Sequence, residues 1–338
     1  MDLRTLAKAE LHRHLEGAMR LQTILDLYRD AGEPLPETTP EELAPRAQVL
    51  EPMANLGVVL DVLDLVRGSF RTYEAVERIS YEAVEDLALD GVRLAELRFS
   101  PEFFFAPGEL DWDLAMDRVV AGVTRAAAEH DVVVGLIAIF SRDYGMDSGT
   151  RTVAFAERHL AELVGFDIAG AELDYPPERY VDLIDAVHGF GLPVTVHYGE
   201  SGPASYARDA IELLRPRRLA HGVSVAADPG VTELARTRRV GLDMCPTSNL
   251  RTGAVPSLER HPARRLLREG LLVTLNTDDP GLFGIDLTHE LEVARDEMGF
   301  TLGDLRQATA NAFDTSFLPP DRKDDVRARH FGWLERAE

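Results

Sequence analysis

Two hydrophobic rhythms alternate along this chain. Short, strongly apolar stretches, of which 132–140 is unbroken, are separated by longer stretches in which apolar positions recur every three or four residues. The first rhythm marks strands buried on both faces, as in a parallel sheet; the second marks amphipathic helices. Strands are predicted at 6–11, 92–99, 132–140, 165–172, 192–197, 218–221, 240–245 and 271–276. Helices are predicted at 21–31, 56–67, 73–89, 114–129, 150–164, 177–188, 204–214, 229–238, 261–269, 287–297 and 302–312. Gly32, Gly91, Gly189 and Gly191 stand where helices should stop. The segment 33–52 carries Pro34, Pro36, Pro40, Pro45 and Pro52 among acidic residues and reads as a loop with one short helical turn. The stretch 56–66 is so apolar that it reads either as a core helix or as a lid over a pocket. The tail from Pro319 onward is dense in charge and is expected to pack loosely.

Eight alternations of strand and helix predict a (β/α)8 TIM barrel, an α/β fold. The chain is expected to form one domain over 1–338, with extra helices after strand one and at the C-terminus. An open doubly wound sheet is the alternative, and it would place a glycine-rich phosphate loop after its first strand. Here that strand runs into His12-Arg13-His14.

Composition narrows the partners. The net charge of −22 on 338 residues repels a phosphate backbone, so no nucleic acid partner is expected. Cys245 is the single cysteine, so no intrachain disulfide framework exists, which fits a reducing compartment. The first twenty or so residues lack the apolar centre of a signal peptide, and no apolar run reaches membrane-spanning length. The expectation is a cytoplasmic protein with no membrane partner that acts on a small molecule.

The candidate chemistry gathers at predicted strand ends, where a barrel carries its catalytic groups. His12 and His14 are two apart, and on a strand such residues leave the same face. Strand five ends in His197-Tyr198-Gly199-Glu200, strand six in His221-Gly222, and strand eight in Asn276-Thr277-Asp278-Asp279-Pro280. Strand two offers Ser100, and strand seven offers Thr247, Ser248 and Asn249. Singly, each has a structural explanation as a core histidine, a cap or an Asx turn. Jointly they segregate, because His130, His159, His188, His261, His289 and His330 fall in predicted helices or loops. Three histidines and one carboxylate suit one zinc ion with room for a water, whose pKa the metal lowers towards neutrality. A two-metal site bridged by a carboxylated lysine on strand four is excluded, since the only lysines are Lys8 and Lys323. Glu172 remains as the one possible carboxylate bridge there.

These motifs resemble the adenosine deaminase family of metal-dependent amidohydrolases. The matching pieces are Glu-Leu-His12-Arg-His14-Leu-Glu16-Gly17-Ala, Val-His197-Tyr-Gly-Glu200, Leu-Ala-His221-Gly222, Cys245-Pro-Thr-Ser-Asn-Leu-Arg-Thr-Gly-Ala and Leu-Asn-Thr-Asp278-Asp279-Pro. They run in the family's order from about residue 8 to 313. The resemblance implies one zinc held by His12, His14, His197 and Asp278, activating a water for attack on purine C6. It implies that protonated Glu200 gives its proton to ring N1. His221 would orient the oxygen nucleophile and accept its proton, and Asp278 would aim it from the opposite side. Asp279 would hydrogen-bond N7, the Gly170 backbone N–H would meet N3, and Glu16 would contact the sugar's 5′ end. Ammonia leaves.

Cys245 stands alone before a proline, unlike the cysteine-rich zinc shell of polynucleotide deaminases, and reads as a buried strand residue. Arg13 is expected to point away from the metal side. Glu16 replaces the Asp that adenosine deaminases often carry, and the 56–66 stretch is aliphatic where the family often has phenylalanines. The expected substrate is adenosine, 2′-deoxyadenosine or a close 5′-variant. The rivals are free adenine, a 5′-extended nucleoside such as aminodeoxyfutalosine, and a metal-bound barrel that binds nucleosides without turnover. A mononuclear esterase or lactonase would leave Glu200 without a job.

Overall fold

The computed structural model describes residues 2–53 and 56–335, and the side chains of all of these except 56–61. Eight parallel strands follow one another in chain order around a single sheet. They are β1 (Lys8–His14), β2 (Val92–Phe99), β3 (Val133–Ser141), β4 (Leu163–Ala169), β5 (Val194–Tyr198), β6 (Arg218–His221), β7 (Gly241–Met244) and β8 (Leu272–Leu275). Helices fill the connections and pack outside, which makes a (β/α)8 barrel with extra helices. Just past β8, the chain meets β1 through an isolated parallel bridge between Arg13 and Asp278. There the Asp278 N–H donates to His12 O at 3.0 Å and the His14 N–H to Asp278 O at 2.8 Å. Lower down, side chains complete the seam: Asn276 Oδ1 accepts the Leu11 N–H, and Glu10 Oε1 accepts the Thr277 N–H.

Capping explains several helix boundaries. Thr72, Asp111 and Thr301 accept first-turn N–H groups, so helices begin at Tyr73, Trp112 and Leu302. The predicted helix at 150–164 is shifted: it spans Gly145–Arg158, because Leu163 and Val164 belong to β4. Strand four ends at Ala169 rather than Glu172, where Gly170 adopts φ +89°. Strand one lies further along than predicted and contains both histidines. It also carries one residue more than β2 between the pairs Glu10↔Ala95 and Arg13↔Leu97. Such a bulge re-aims side chains. Ala9 and Leu11 join an apolar cluster with Leu94 and Phe313, while His12 and His14 turn together to the barrel mouth.

The charged tail packs tightly, against expectation. The helix Pro320–His330 hides Val326 and is followed by buried Phe331 and Trp333. Val326 and Phe331 lie in the same cluster as Ala9, Leu11 and Leu94, and Trp333 Nε1 donates to Ala7 O at 3.0 Å. Its charges simply occupy the solvent side.

The barrel interior is ionic as well as apolar. Arg218 donates to Glu96 at 2.6 Å and Asp243 at 2.7 Å, and Arg98 donates to Asp167 at 2.8 Å. All five side chains are buried. Removing one partner of such a pair strands a charge and costs about 3–5 kcal/mol. Of the predicted lid, the helix Leu56–Arg67 forms, and Val62, Leu65 and Val66 are buried. Leu56, Val58, Val59 and Leu60 of that reading lie outside the described side chains. Among the described residues, no helix is long and apolar enough to cross a membrane.

Candidate active site

The bulge in β1, the end of β5 and the turn after β8 bring four donor atoms together. His12 Nε2 and His14 Nε2 lie 3.3 Å apart, and His14 Nε2 lies 3.4 Å from His197 Nε2. Asp278 Oδ1 is 3.1 Å from His12 Nε2 and 3.3 Å from His14 Nε2. With zinc–nitrogen bonds of about 2.0–2.1 Å, the edge of a tetrahedral shell is roughly 3.3 Å. Three imidazole nitrogens and one carboxylate oxygen at this spacing fit a zinc ion.

The orientation of the His197 ring has an identifiable cause. His197 Nδ1 faces the Asp167 carboxylate at 3.1 Å, and Arg98 holds that carboxylate from behind. Burial drives His197 down to about 4 against the pull of Asp167, so the ring is neutral and its Nε2 lone pair is free. Burial alone would depress His14, but Asp279 and Asp278 outweigh it and carry it up to about 9. Sequence reading missed Asp167, Arg98, Glu96, Arg218 and Asp243. Their signal was available: charged residues inside otherwise apolar strands.

His221 and Asp278 both have positive φ, +67° and +65°, in a region non-glycine residues rarely adopt. Both sit at the site, where such strain is commonly held in place by surrounding contacts. His221 Nε2 lies 3.7 Å from Glu200 Oε2 and 3.8 Å from Asp278 Oδ2. Burial pushes the Glu200 carboxyl up; His221 opposes this and Asp278 adds to it. The loop after β7, which contains the short helix Pro246–Arg251, holds all three. Ser248 Oγ donates to Asp278 Oδ2 at 2.7 Å, Asn249 Nδ2 meets His221 Nδ1 at 3.0 Å, and Thr252 Oγ1 donates to Glu200 Oε1 at 3.2 Å.

Glu172 lies beyond β4, and its carboxylate is fully engaged. It accepts the N–H groups of Gly199, Glu200, Ser201 and Gly202 at 2.7, 3.2, 2.9 and 2.9 Å. It is therefore a brace for the Glu200 turn rather than a metal bridge. Arg142 ties the neighbouring loop down by donating to Ala169 O, Gly170 O and His197 O. Gly170 follows β4 in an exposed left-handed turn beside Asp143.

Glu16 is buried at the other side of the pocket. Its Oε1 accepts the Ser100 N–H at 2.5 Å, while Oε2 is buried without a protein partner. Burial, partly offset by His14, pushes it up to about 7. A Cβ at Gly17 would land 1.7 Å from Asp279 Oδ1, so only glycine lets that carboxylate lie there. Glu16 and Gly17 line a small apolar cavity together with Leu63 and Val66 of the 56–67 helix. Arg13 points away from the histidines, as expected, but is buried beside Glu10. Cys245 is a buried free thiol near Asp243 O. Its sulfur falls within a loose group with His221 and Asp278, but burial holds its pKa well above normal and so keeps it a thiol.

Three comparisons bear on this geometry. The family model described as adenosine deaminase matches residues 7–330. An adenosine deaminase from Shewanella loihica is 37% identical over 309 residues, which is 91% of this chain and 93% of that protein. Among solved structures, an adenine deaminase from Arthrobacter aurescens is 28% identical with a TM-score of 0.90, covering 98% of this chain and 100% of that one. A zinc-bound amidohydrolase from Burkholderia ambifaria is also 28% identical, with a TM-score of 0.87 over 98% of this chain and 92% of that one.

Proposed function

Because the chain belongs to the adenosine deaminase family, we propose that it hydrolytically removes the 6-amino group of adenosine or 2′-deoxyadenosine, giving the inosine-type product and ammonia. One observation carries this reading. The Asp278 carboxylate serves two assemblies at once: Oδ1 sits among the ligand nitrogens, and Oδ2 lies 3.8 Å from His221, itself 3.7 Å from Glu200. The metal cradle and the Glu200–His221 pair therefore meet at Asp278.

His12, His14, His197 and Asp278 would hold one zinc ion, which supplies a water acidic enough to act as hydroxide near neutral pH. Glu200, whose carboxyl burial and Asp278 push towards the protonated form, donates to ring N1 and makes C6 electrophilic. Thr252 and Glu172 fix where that proton sits. His221 faces the space between Glu200 and Asp278 and orients the oxygen that adds to C6. Asp279, free to lie over Gly17, donates to N7, which has a lone pair and no hydrogen; burial and Asp278 push its carboxyl up to about 7. The Gly170 backbone, held by Arg142, meets N3. Glu16 keeps Oε2 for a hydroxyl at the 5′ end of the sugar, since a buried carboxyl oxygen without a partner is costly until a ligand meets it.

The second reading is free adenine. It draws support from the likeness to an adenine deaminase and from the extra methylene of Glu16, which carries its carboxyl further into the pocket. A kcat/KM panel on adenosine, deoxyadenosine, adenine, AMP, methylthioadenosine and aminodeoxyfutalosine, read by loss of adenine absorbance, separates the two. A site built to hydrogen-bond a hydroxyl rejects analogues lacking it by factors of up to about 10⁴–10⁵. Adenosine and deoxyadenosine should lead adenine by at least about a hundredfold. Adenine in the lead, or a 5′-extended nucleoside in the lead, would replace the proposed substrate.

A further inference from the structure

His261 was counted with the histidines outside the site. The structure buries it two hydrogen bonds behind His221. The chain of contacts runs from the backbone inward. The Ala263 N–H donates to His261 Nδ1 at 3.2 Å, His261 Nε2 lies 3.1 Å from Asn249 Oδ1, and Asn249 Nδ2 lies 3.0 Å from His221 Nδ1. All three side chains are buried, so water does not compete for these contacts.

The polarity of this chain follows from its first link. A backbone N–H can only donate, so His261 Nδ1 carries the lone pair. Burial holds His261 down at about 3, so the ring is neutral and its single proton is on Nε2. That proton is given to Asn249, which must present Oδ1 to it. The amide is then fixed with its NH2 towards His221, whatever side-chain flip is assumed at the outset. His221 Nδ1 has to accept, and the one ring proton left to a neutral His221 lies on Nε2.

We propose that Asn249 and His261 are positioning residues that lock His221 as the Nε2–H tautomer. His221 then works as a hydrogen-bond donor into the gap between Glu200 and Asp278. It does not take the nucleophile's proton at Nε2. Charging the ring would place an N–H against the Asn249 NH2, and relieving this needs the amide and His261 to turn over together inside a closed core. The proposal rests on the deaminase reading only for the identity of the oxygen that His221 orients. The tautomer lock itself is independent of any substrate.

The direct test is the long-range proton–nitrogen NMR spectrum of the histidine rings in the zinc-loaded protein, with His221 assigned by its loss in a His221→Ala variant. The expected pattern is a lone pair on Nδ1 and a proton on Nε2. Asn249→Asp keeps the shape but leaves only acceptors, so it should move the His221 proton to Nδ1. With zinc content retained, its kcat should fall by at least about a hundredfold while KM changes little. His261→Leu should lose the single-tautomer pattern, and His261→Gln, which keeps a donor near Nε2, should restore most of it. Nδ1–H or a charged ring in the parent protein at neutral pH would overturn the proposal, as would an unchanged tautomer in Asn249→Asp. A locked Nε2–H tautomer in a protein that turns over no purine would instead retain the lock and reject the deaminase reading.

Discussion

Single atoms decide the chemistry of this pocket. Glu200 Oε2 lies 3.7 Å from His221 Nε2, and Oε1 accepts from Thr252 Oγ1, so both oxygens have a neighbour. Burial, Asp278 and Glu172 all favour its protonated form, and only His221 and Thr252 work against it. Glu200→Gln keeps the size and hydrogen-bonding shape but cannot pass a proton to N1. Its kcat should fall by about 10²–10⁴-fold, with zinc content and melting temperature close to the parent. Near-normal turnover in a zinc-loaded Glu200→Gln protein would mean that the proton comes from elsewhere. The gathering of His12, His14, His197, His221 and Asp278 was legible because each stands at or just past a predicted strand end. Asp167 and Arg98 were not, because a charge within a strand reads as noise until the barrel closes and pairs the two at 2.8 Å.

Elements set where those atoms are, and here local rules and tertiary packing diverge. The i, i+2 rule placed His12 and His14 on one face correctly, yet the strand reaches them through a bulge that no periodicity reveals. Strand four was read three residues too long because Gly170 and Ala171 give no polar break before Glu172; a left-handed turn at Gly170 ends it. That early ending frees Glu172 to reach across to the turn after β5. A carboxylate accepting four backbone N–H groups is a strong brace, and removing it leaves buried donors unsatisfied at about 1–3 kcal/mol each where water cannot follow. Glu172→Ala should therefore lower kcat at least about tenfold and lower the melting temperature, while leaving one zinc bound. Unchanged kcat in a Glu172→Ala protein that has lost stability would show that the turn's position does not matter to Glu200. The C-terminal helix shows the reverse error. Its sequence is charged on all but one face, and Val326, Phe331 and Trp333 suffice to seat it under the barrel.

For the whole molecule, the barrel is a device for meeting at one point. His12, His197, His221 and Asp278 are separated by most of the chain, yet parallel strands deliver all of them to the same end. The ionic interior of Glu96, Arg98, Asp167, Arg218 and Asp243 links the barrel floor to the back of His197. This gives the His197 ring little freedom to relax. A cradle so pre-formed around one set of nitrogens and one carboxylate should take a single ion and should work only when filled. The most direct test is to strip the protein of metal and titrate zinc back while following loss of adenosine absorbance. Turnover should rise in proportion to added zinc and break at one ion per chain. A break at two ions per chain, or no deamination at any zinc level, would contradict the account.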